Sequence, residues 1–471
     1  ELTTWPVRAE GACSILAMYT IVQTEGILMS IRSDSSPLAG MAQKKKPQII
    51  TRALMVFLGA MILANIGHQM NQQMMPLYVQ SLGASVQQVG LFFTIASIMP
   101  LTFQILGGFI SDSIGRLQAI AIGSIAGLIG YIMYVWAPSW QFMIVAQSIA
   151  GIASCFVSPS FQAYVAEQSS EEMRARTFAT VDSIYTVVGV IGPSLGGLIS
   201  ERFGYRQMFA VSALLYTGAV VIRFAMAAND RRGASSRAGS TPAAAPERPT
   251  LRKFAQSMNA MISLVLAGGV ITWLFISDGV SDIAFTLGGR LEPLYYSNII
   301  GLSNLQIGSL LSILNVTMMV MLPLGGWFAD KAGERAGIAI GHLFFSTGYV
   351  LMLLGKRYAQ FTVVWVLYGI GASLMSPAYN SLISKAVPEK MRGTAYGLFS
   401  TSLGLISLPA PYIGGLIWRT LGPRAPFVVP LLSSLVLAPL LWIKLGSAQG
   451  KGKANAAAPE ATADGATADV N

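Results

Sequence analysis

The chain has 471 residues, of which 53% are hydrophobic and 11% charged, with a mean hydropathy of +0.57. Soluble proteins carry about 25% charged residues, so this balance points to a protein solvated mainly by lipid and argues against a soluble enzyme or a nucleic-acid-binding domain, despite a formal charge of +10. The two cysteines, Cys13 and Cys155, are too few and too far apart for a disulfide framework or a metal site.

Residues 1–40 read as a poorly ordered extension: ACSILAMYTIVQTEGILM (12–29) is only mildly apolar, is interrupted by Gln23 and Glu25, and lacks the cleavage site of a signal peptide. MAQKKKPQII from Met41 reads as a natural start, with a basic cluster just before the first apolar run. A bilayer-spanning helix needs about 20 mainly apolar residues. Such runs recur twelve times, at about 53–76, 86–111, 117–136, 140–165, 176–199, 206–227, 264–291, 304–329, 336–354, 359–386, 392–418 and 424–445. The alternation of a membrane β-barrel is absent, so an all-α membrane protein is predicted. With the N-terminus placed in the cytoplasm, 22 of the 29 Lys and Arg after residue 40 fall at cytoplasmic ends and loops. The other seven, Arg202, Arg206, Arg290, Lys356, Arg357, Arg419 and Arg424, fall in outer loops. This positive-inside bias predicts a multi-pass protein of the cell membrane with both termini cytoplasmic.

Segment 1 carries Asn65, His68, Gln69 and Gln72 at i, i+3, i+4 and i+7, one polar stripe on an apolar helix, which says that face meets water or polar partners. His68 is either a proton carrier or a hydrogen-bonded structural histidine. Segments 2 and 3 are joined by GGFISDSIGR (107–116). Early in segment 5, Asp182 is an intramembrane carboxylate or a partner of Arg174 or Arg176. The same segment holds GPSLGG (192–197), whose Gly192, Pro193, Gly196 and Gly197 suit close helix packing and a local bend. GPSLG also matches the G-x-S-x-G nucleophile pattern, which has meaning only at a strand-to-helix turn and here falls inside a spanning helix. With no phosphate-binding GxxxxGK[ST] either, neither an enzyme nor an ATP-driven pump is supported, and no cofactor or metal is expected.

A polar, Arg- and Ala-rich stretch at 228–260 reads as a linker between two six-helix bundles, 41–227 and 261–445, and residues 446–471 read as a disordered tail. Segment 7 contains FISDGVSDIAF (275–285). Taking its outer end near Pro293 puts Asp278 near mid-depth, with Asp282 a turn further out and Ser281 on the shared face. A charged Asp at the centre of a spanning helix costs about 2.5–3.5 kcal/mol. About 5–7 kcal/mol for two rivals the whole stability of many proteins. Such residues persist where they face water, a partner or a proton, and two carboxylates one turn apart suit a group that must load and release protons. The structural alternative is an ion pair with Arg290 or groups near Glu292 at the outer surface.

The halves repeat. GGFISDSIGR matches GGWFADKAGER (325–335), SPSFQAYVAE from Ser158 matches SPAYNSLISK from Ser376, and GPSLGGLI (192–199) matches APYIGGLI (410–417). These pairs, with Arg174 and Arg392, share one constant offset in the numbering, whereas MPLY (75–78) meets EPLY (292–295) at an offset one smaller, so one residue is inserted between. At Gly108, Asp112, Gly115 and Arg116, and again at Gly326, Asp330, Gly333 and Arg335, the chain resembles the signature loop of the major facilitator superfamily; Ser113 and Leu117 stand where that loop usually has basic residues. GPSLGG resembles the Gly-Pro signature of its exporters.

The resemblance implies two pseudo-symmetric six-helix bundles, with the signature loops latching the halves at the cytoplasmic face. It also implies a central cavity lined by helices 1, 4, 7 and 10, hence by Asn65, His68, Gln69, Gln72, Gln147, Asp278, Ser281, Asp282, Tyr368 and Asn380. No basic residue falls at mid-depth in segments 1 and 7, so the cavity reads as weakly anionic. The function expected is secondary active transport by alternating access, through proton-coupled export of cationic or neutral amphiphiles, by a monomer surrounded by lipid. Proton-coupled uptake of a sugar or similar metabolite is the alternative.

Overall fold

The computed structural model describes residues 52–169, 173–236, 263, 269–386 and 404–456, all within one compact unit, Ile49–Asn471. The expected extension at 1–40 and most of the expected linker lie outside the described residues. The first half consists of α1 (Arg52–Gln72), α2 (Met75–Ser81), α3 (Val86–Ile114), α4 (Arg116–Val135), α5 (Trp140–Glu167), α6 (Arg174–Phe203) and α7 (Tyr205–Ser236). The second consists of α8 (Val270–Gly289), α9 (Glu292–Tyr295), a π-helical turn (Tyr296–Ile300), α10 (Asn304–Ala332), α11 (Glu334–Leu354), α12 (Tyr358–Ala386), α13 (Ala410–Leu421) and α14 (Ala425–Ala456). Ten of the described helices are long and apolar enough to cross a membrane. The other two of the twelve segments are the seventh, α8, which carries the two carboxylates, and the eleventh, which is described only from residue 404 and includes α13. The helices outrun the apolar spans: α7 continues to Ser236, into the stretch expected as linker, and α14 to Ala456, into the stretch expected as tail.

The repeat is visible in the backbone. Gly83 and Gly301, Gly115 and Gly333, and Gly204 and Gly422 are matched by the repeat, and all six hold φ between 78° and 102°. Side chains strain that region, so these three turns between consecutive spans have glycine in both halves. The single inserted residue is also placed. Pro76 and Pro293 stand in the first turns of α2 and α9, where a missing N–H breaks no helical bond. The α2 run then stays α-helical to Ser81, whereas its counterpart becomes the π turn Tyr296–Ile300. A π turn is how a helix absorbs one extra residue, which accounts for the change of offset between the MPLY and glycine pairs.

The two halves meet at one end. There a single apolar core crosses between them, joining Met74, Tyr78 and Phe209 to Leu294, Tyr295 and Ile307. Toward the other end the described residues form two separate cores, with Phe57, Phe161 and Tyr164 inside the first half and Leu274, Ile338 and Leu441 inside the second. At the closed end α6 packs on α10 and α3 on α13 through glycines. A Cβ on Gly308 would collide with the Pro193 carbonyl oxygen, and one on Gly90 with the Pro411 carbonyl oxygen. Polar bonds follow the α6–α10 seam: Asn315 Nδ2 donates to the Gly189 carbonyl (2.9 Å), the Ser194 and Ser312 hydroxyls meet at 2.7 Å, and the Leu305 N–H donates to Glu201 (2.8 Å).

Candidate functional site

The divided core leaves a polar space between the halves, made of two cavities that share Phe93, Pro100, Gln147 and Arg290. The larger, of about 740 Å³, is walled by Asn65, His68, Asn71 and Gln72 of the first helical run and reaches Ser158, Gln162 and Asp182 toward the open end. Gln147 is held there by Tyr134, whose hydroxyl donates to its side-chain oxygen at 2.6 Å. The smaller, of about 550 Å³, is walled by Asp278, Asp282, Thr286 and Arg290, four residues spaced by four along one face of α8 and its C-cap.

Arg290 departs from its expected place. It is not in an outer loop: because α9 and the π turn continue the helical run to Ile300, the middle of that run falls near Asp282 and Thr286, and Arg290 lies inside it. By the same shift Asp282, rather than Asp278, stands nearest mid-depth. The Arg290 guanidinium lies 5.2 Å from the centre of the Phe93 ring, and Arg290 shares the wall of the smaller cavity with Asp282 and that of the larger with His68. It makes no ion pair with Asp282 among the described residues, whose ion pairs are Arg116 with Glu167 and Lys385 with Glu334. Arg223, fully buried in α7, also lines the larger cavity, as does Asp182, which makes no ion pair with Arg174 or Arg176. The expectation of a cavity without basic groups is therefore corrected: among the described residues, two arginines and three aspartates line the two cavities, leaving a net charge of one negative if all are ionised.

Four of the expected wall residues face elsewhere. Gln69 packs against α6, where Gly189 and Gly192 leave room for it. Ser281 is buried and lines neither cavity, standing about 60° round the helix from Asp278 and about 100° from Asp282. Tyr368 stands in an aromatic cluster with Phe345, Tyr349 and Trp365, its hydroxyl 3.6 Å from the Met352 sulfur. Asn380 is exposed on α12 and lines neither cavity.

Gly192 and Gly196 bring α6 against Gln69 and Met70 of α1, and Gly197 brings it against Asn304 and Leu305 of α10, while Pro193 meets Gly308. Gly108 and Asp112 lie in the last turns of α3, and Gly115 caps α4 with φ 99°. Arg116 Nε donates to Glu167 at 3.1 Å. In the second copy Gly326 and exposed Asp330 lie in α10, Gly333 holds φ 86°, and Arg335 covers the Trp442 ring at 4.8 Å. These contacts of both arginines lie within their own half.

Known proteins agree with this architecture. The chain is 25% identical over 381 residues to a multi-drug resistance efflux pump PmrA homolog of Lactococcus lactis, covering 78% of this chain and 88% of that one. It is 21% identical over 352 residues to the quinolone resistance protein NorA of Staphylococcus aureus, covering 73% and 84%. Among solved structures, a D-xylose–proton symporter matches with a TM-score of 0.64 at 15% identity, covering 84% of this chain and 98% of that one. A peptide transporter POT in complex with sulfate matches with a TM-score of 0.63 at 14% identity, covering 89% and 97%. A family profile matches residues 56–287 and 274–467, and the chain belongs to the Major Facilitator Superfamily.

Proposed function

We propose that this transporter exports cationic or neutral amphiphilic compounds in exchange for protons. The observation that carries the reading is the α8 face: Asp278 and Asp282 open onto a cavity between spanning helices, with no ion pair to either among the described residues. A carboxylate there is costly unless it faces water, a cation or a proton, and alternate loading by proton and cargo supplies that need. Asp282, nearest mid-depth and on the same cavity wall as Arg290, binds the proton that drives the cycle, and Asp278 passes it toward the open end. His68, on the wall of the larger cavity that adjoins this one at Gln147 and Arg290, completes the polar path, and Gln72 and Gln147 offer hydrogen bonds to cargo. With the positive-inside bias as the guide to orientation, the open end faces the cytoplasm and the present state takes up cargo from inside. Relatives named as efflux pumps support export over uptake.

Growth of a bacterium stripped of its own exporters tests this reading. The native chain is expected to protect against cationic and neutral toxic compounds, and Asp282→Asn to protect against none of them. Equal growth with and without the native chain across the panel contradicts export.

A further inference from the structure

We propose that the first-half wall of the cavity carries a carboxylate-binding subsite centred on Arg223, so that cargo bearing both an anionic and a cationic group is preferred. Arg223 is only 2% exposed, yet it lines the cavity. Its Nη1 donates to the Ser124 hydroxyl at 2.7 Å, its Nη2 to the Met61 sulfur at 2.9 Å, and the Tyr216 ring lies 5.7 Å from its guanidinium carbon. None of these partners is an anion. Asp182, the carboxylate on the same wall, makes no ion pair with it among the described residues. An arginine keeps its charge throughout the physiological range, and a buried charge without a counter-charge is unfavourable.

Two further observations point to a ligand. The Nε–H of Arg223 and the hydroxyl of Tyr185 are both buried without a hydrogen-bond partner, and both residues line this cavity. Two donors on one wall suit an acceptor with two oxygens, as a carboxylate has. The fold itself does not require a charge at this position. In the second half the residue matched to Arg223 by the repeat is Leu441, fully buried in an apolar core, and Ser124 is matched there by His342. The counterpart of Met61, whose sulfur Arg223 holds, is Asp278, at the same offset that relates MPLY to EPLY. The pseudo-symmetry therefore sets a cationic pole on one wall against an anionic pole on the other at similar depth. A molecule with a carboxylate at one end and an amine at the other would satisfy both.

The proposal deepens the export reading and rests on it for the nature of the cargo, but its test measures binding alone. Rhodamine 110 carries a free carboxylate, and rhodamine 123 is its methyl ester. Fluorescence polarisation with the purified chain in lipid nanodiscs, corrected with empty discs, gives the affinity for each. A charge-assisted contact predicts that the native chain binds the acid at least about tenfold more tightly than the ester. Arg223→Gln is expected to abolish that preference. No preference in the native chain, or the same preference in Arg223→Gln, overturns the proposal. Should Arg223→Gln bind neither dye, Arg223→Lys decides: a reduced preference supports the two-oxygen contact, and an unchanged one overturns it. Failure of the export reading is separate, since it would appear as a chain that binds the acid but does not move it.

Discussion

Asn298 donates a hydrogen bond of 3.1 Å to the side-chain oxygen of Gln80, 218 positions earlier, the offset that the glycine pairs of the repeat share. A residue touches its own counterpart only near the axis that relates two copies, so this bond marks the pseudo-two-fold axis at the closed end. Around it the same joint is made twice. The Cβ missing from Gly197 would lie 2.9 Å from the Leu305 Cα, and that missing from Gly415 would lie 2.7 Å from the Gln87 Cα. Gly197 with Gly415, and Gln87 with Leu305, are counterparts at the same offset. Two matched seams let the halves rock about the axis without favouring either half.

If that joint must open in each cycle, locking it stops transport. In a chain whose Cys13 and Cys155 are replaced by serine, Gln80→Cys and Asn298→Cys are expected to be joined by a short, reducible thiol cross-linker. Uptake of substrate into inverted vesicles should fall to background and return on reduction. Full transport in the cross-linked protein would show that this end stays closed throughout.

The glycines of the seams are expected to differ from those that face open space. Gly308→Ala and Gly90→Ala each push a Cβ into a backbone carbonyl, an overpacking expected to destabilise by about 1–3 kcal/mol. Gly326→Ala meets nothing within 4 Å and should stabilise its helix by about 0.5–1 kcal/mol. Thermal melting of the three variants in one detergent checks the order: two below the native chain and one above.

The architecture was legible in the sequence because spans and repeats are written in composition and spacing, which need no knowledge of which face packs. The cavity was only half legible. The stripe of Asp278, Asp282, Thr286 and Arg290 could have been read at its period of four. Reading Pro293 as the end of the span cut it short, although a proline in the first turn of a helix lets the helical run continue. Gln69 was misplaced for a different reason: the absent side chains of Gly189 and Gly192, far away in the sequence, decide that this edge of α1 packs on α6. Tyr368 and Asn380 came from the family pattern rather than from any periodicity, and the aromatic cluster around Tyr368 has no local signal.

Arg290 is expected to matter through its charge and its flat face. Lysine keeps the charge but stacks less well on Phe93, and glutamine loses both. Transport by Arg290→Gln should fall by at least about tenfold, the equivalent of about 1.4 kcal/mol, with Arg290→Lys between it and the native chain. The loss is expected in turnover per folded molecule. A drop in melting temperature with turnover unchanged would make Arg290 a packing residue only.

The central claim is that Asp278 and Asp282 couple transport to protons, and a pH-sensitive dye sealed inside proteoliposomes tests it most directly. Adding a cationic substrate across an imposed proton gradient should move protons through the native chain. Asp282→Asn should abolish that signal and Asp278→Asn weaken it, with both variants inserted and melting near the native temperature. An unchanged proton signal in both variants would contradict the account.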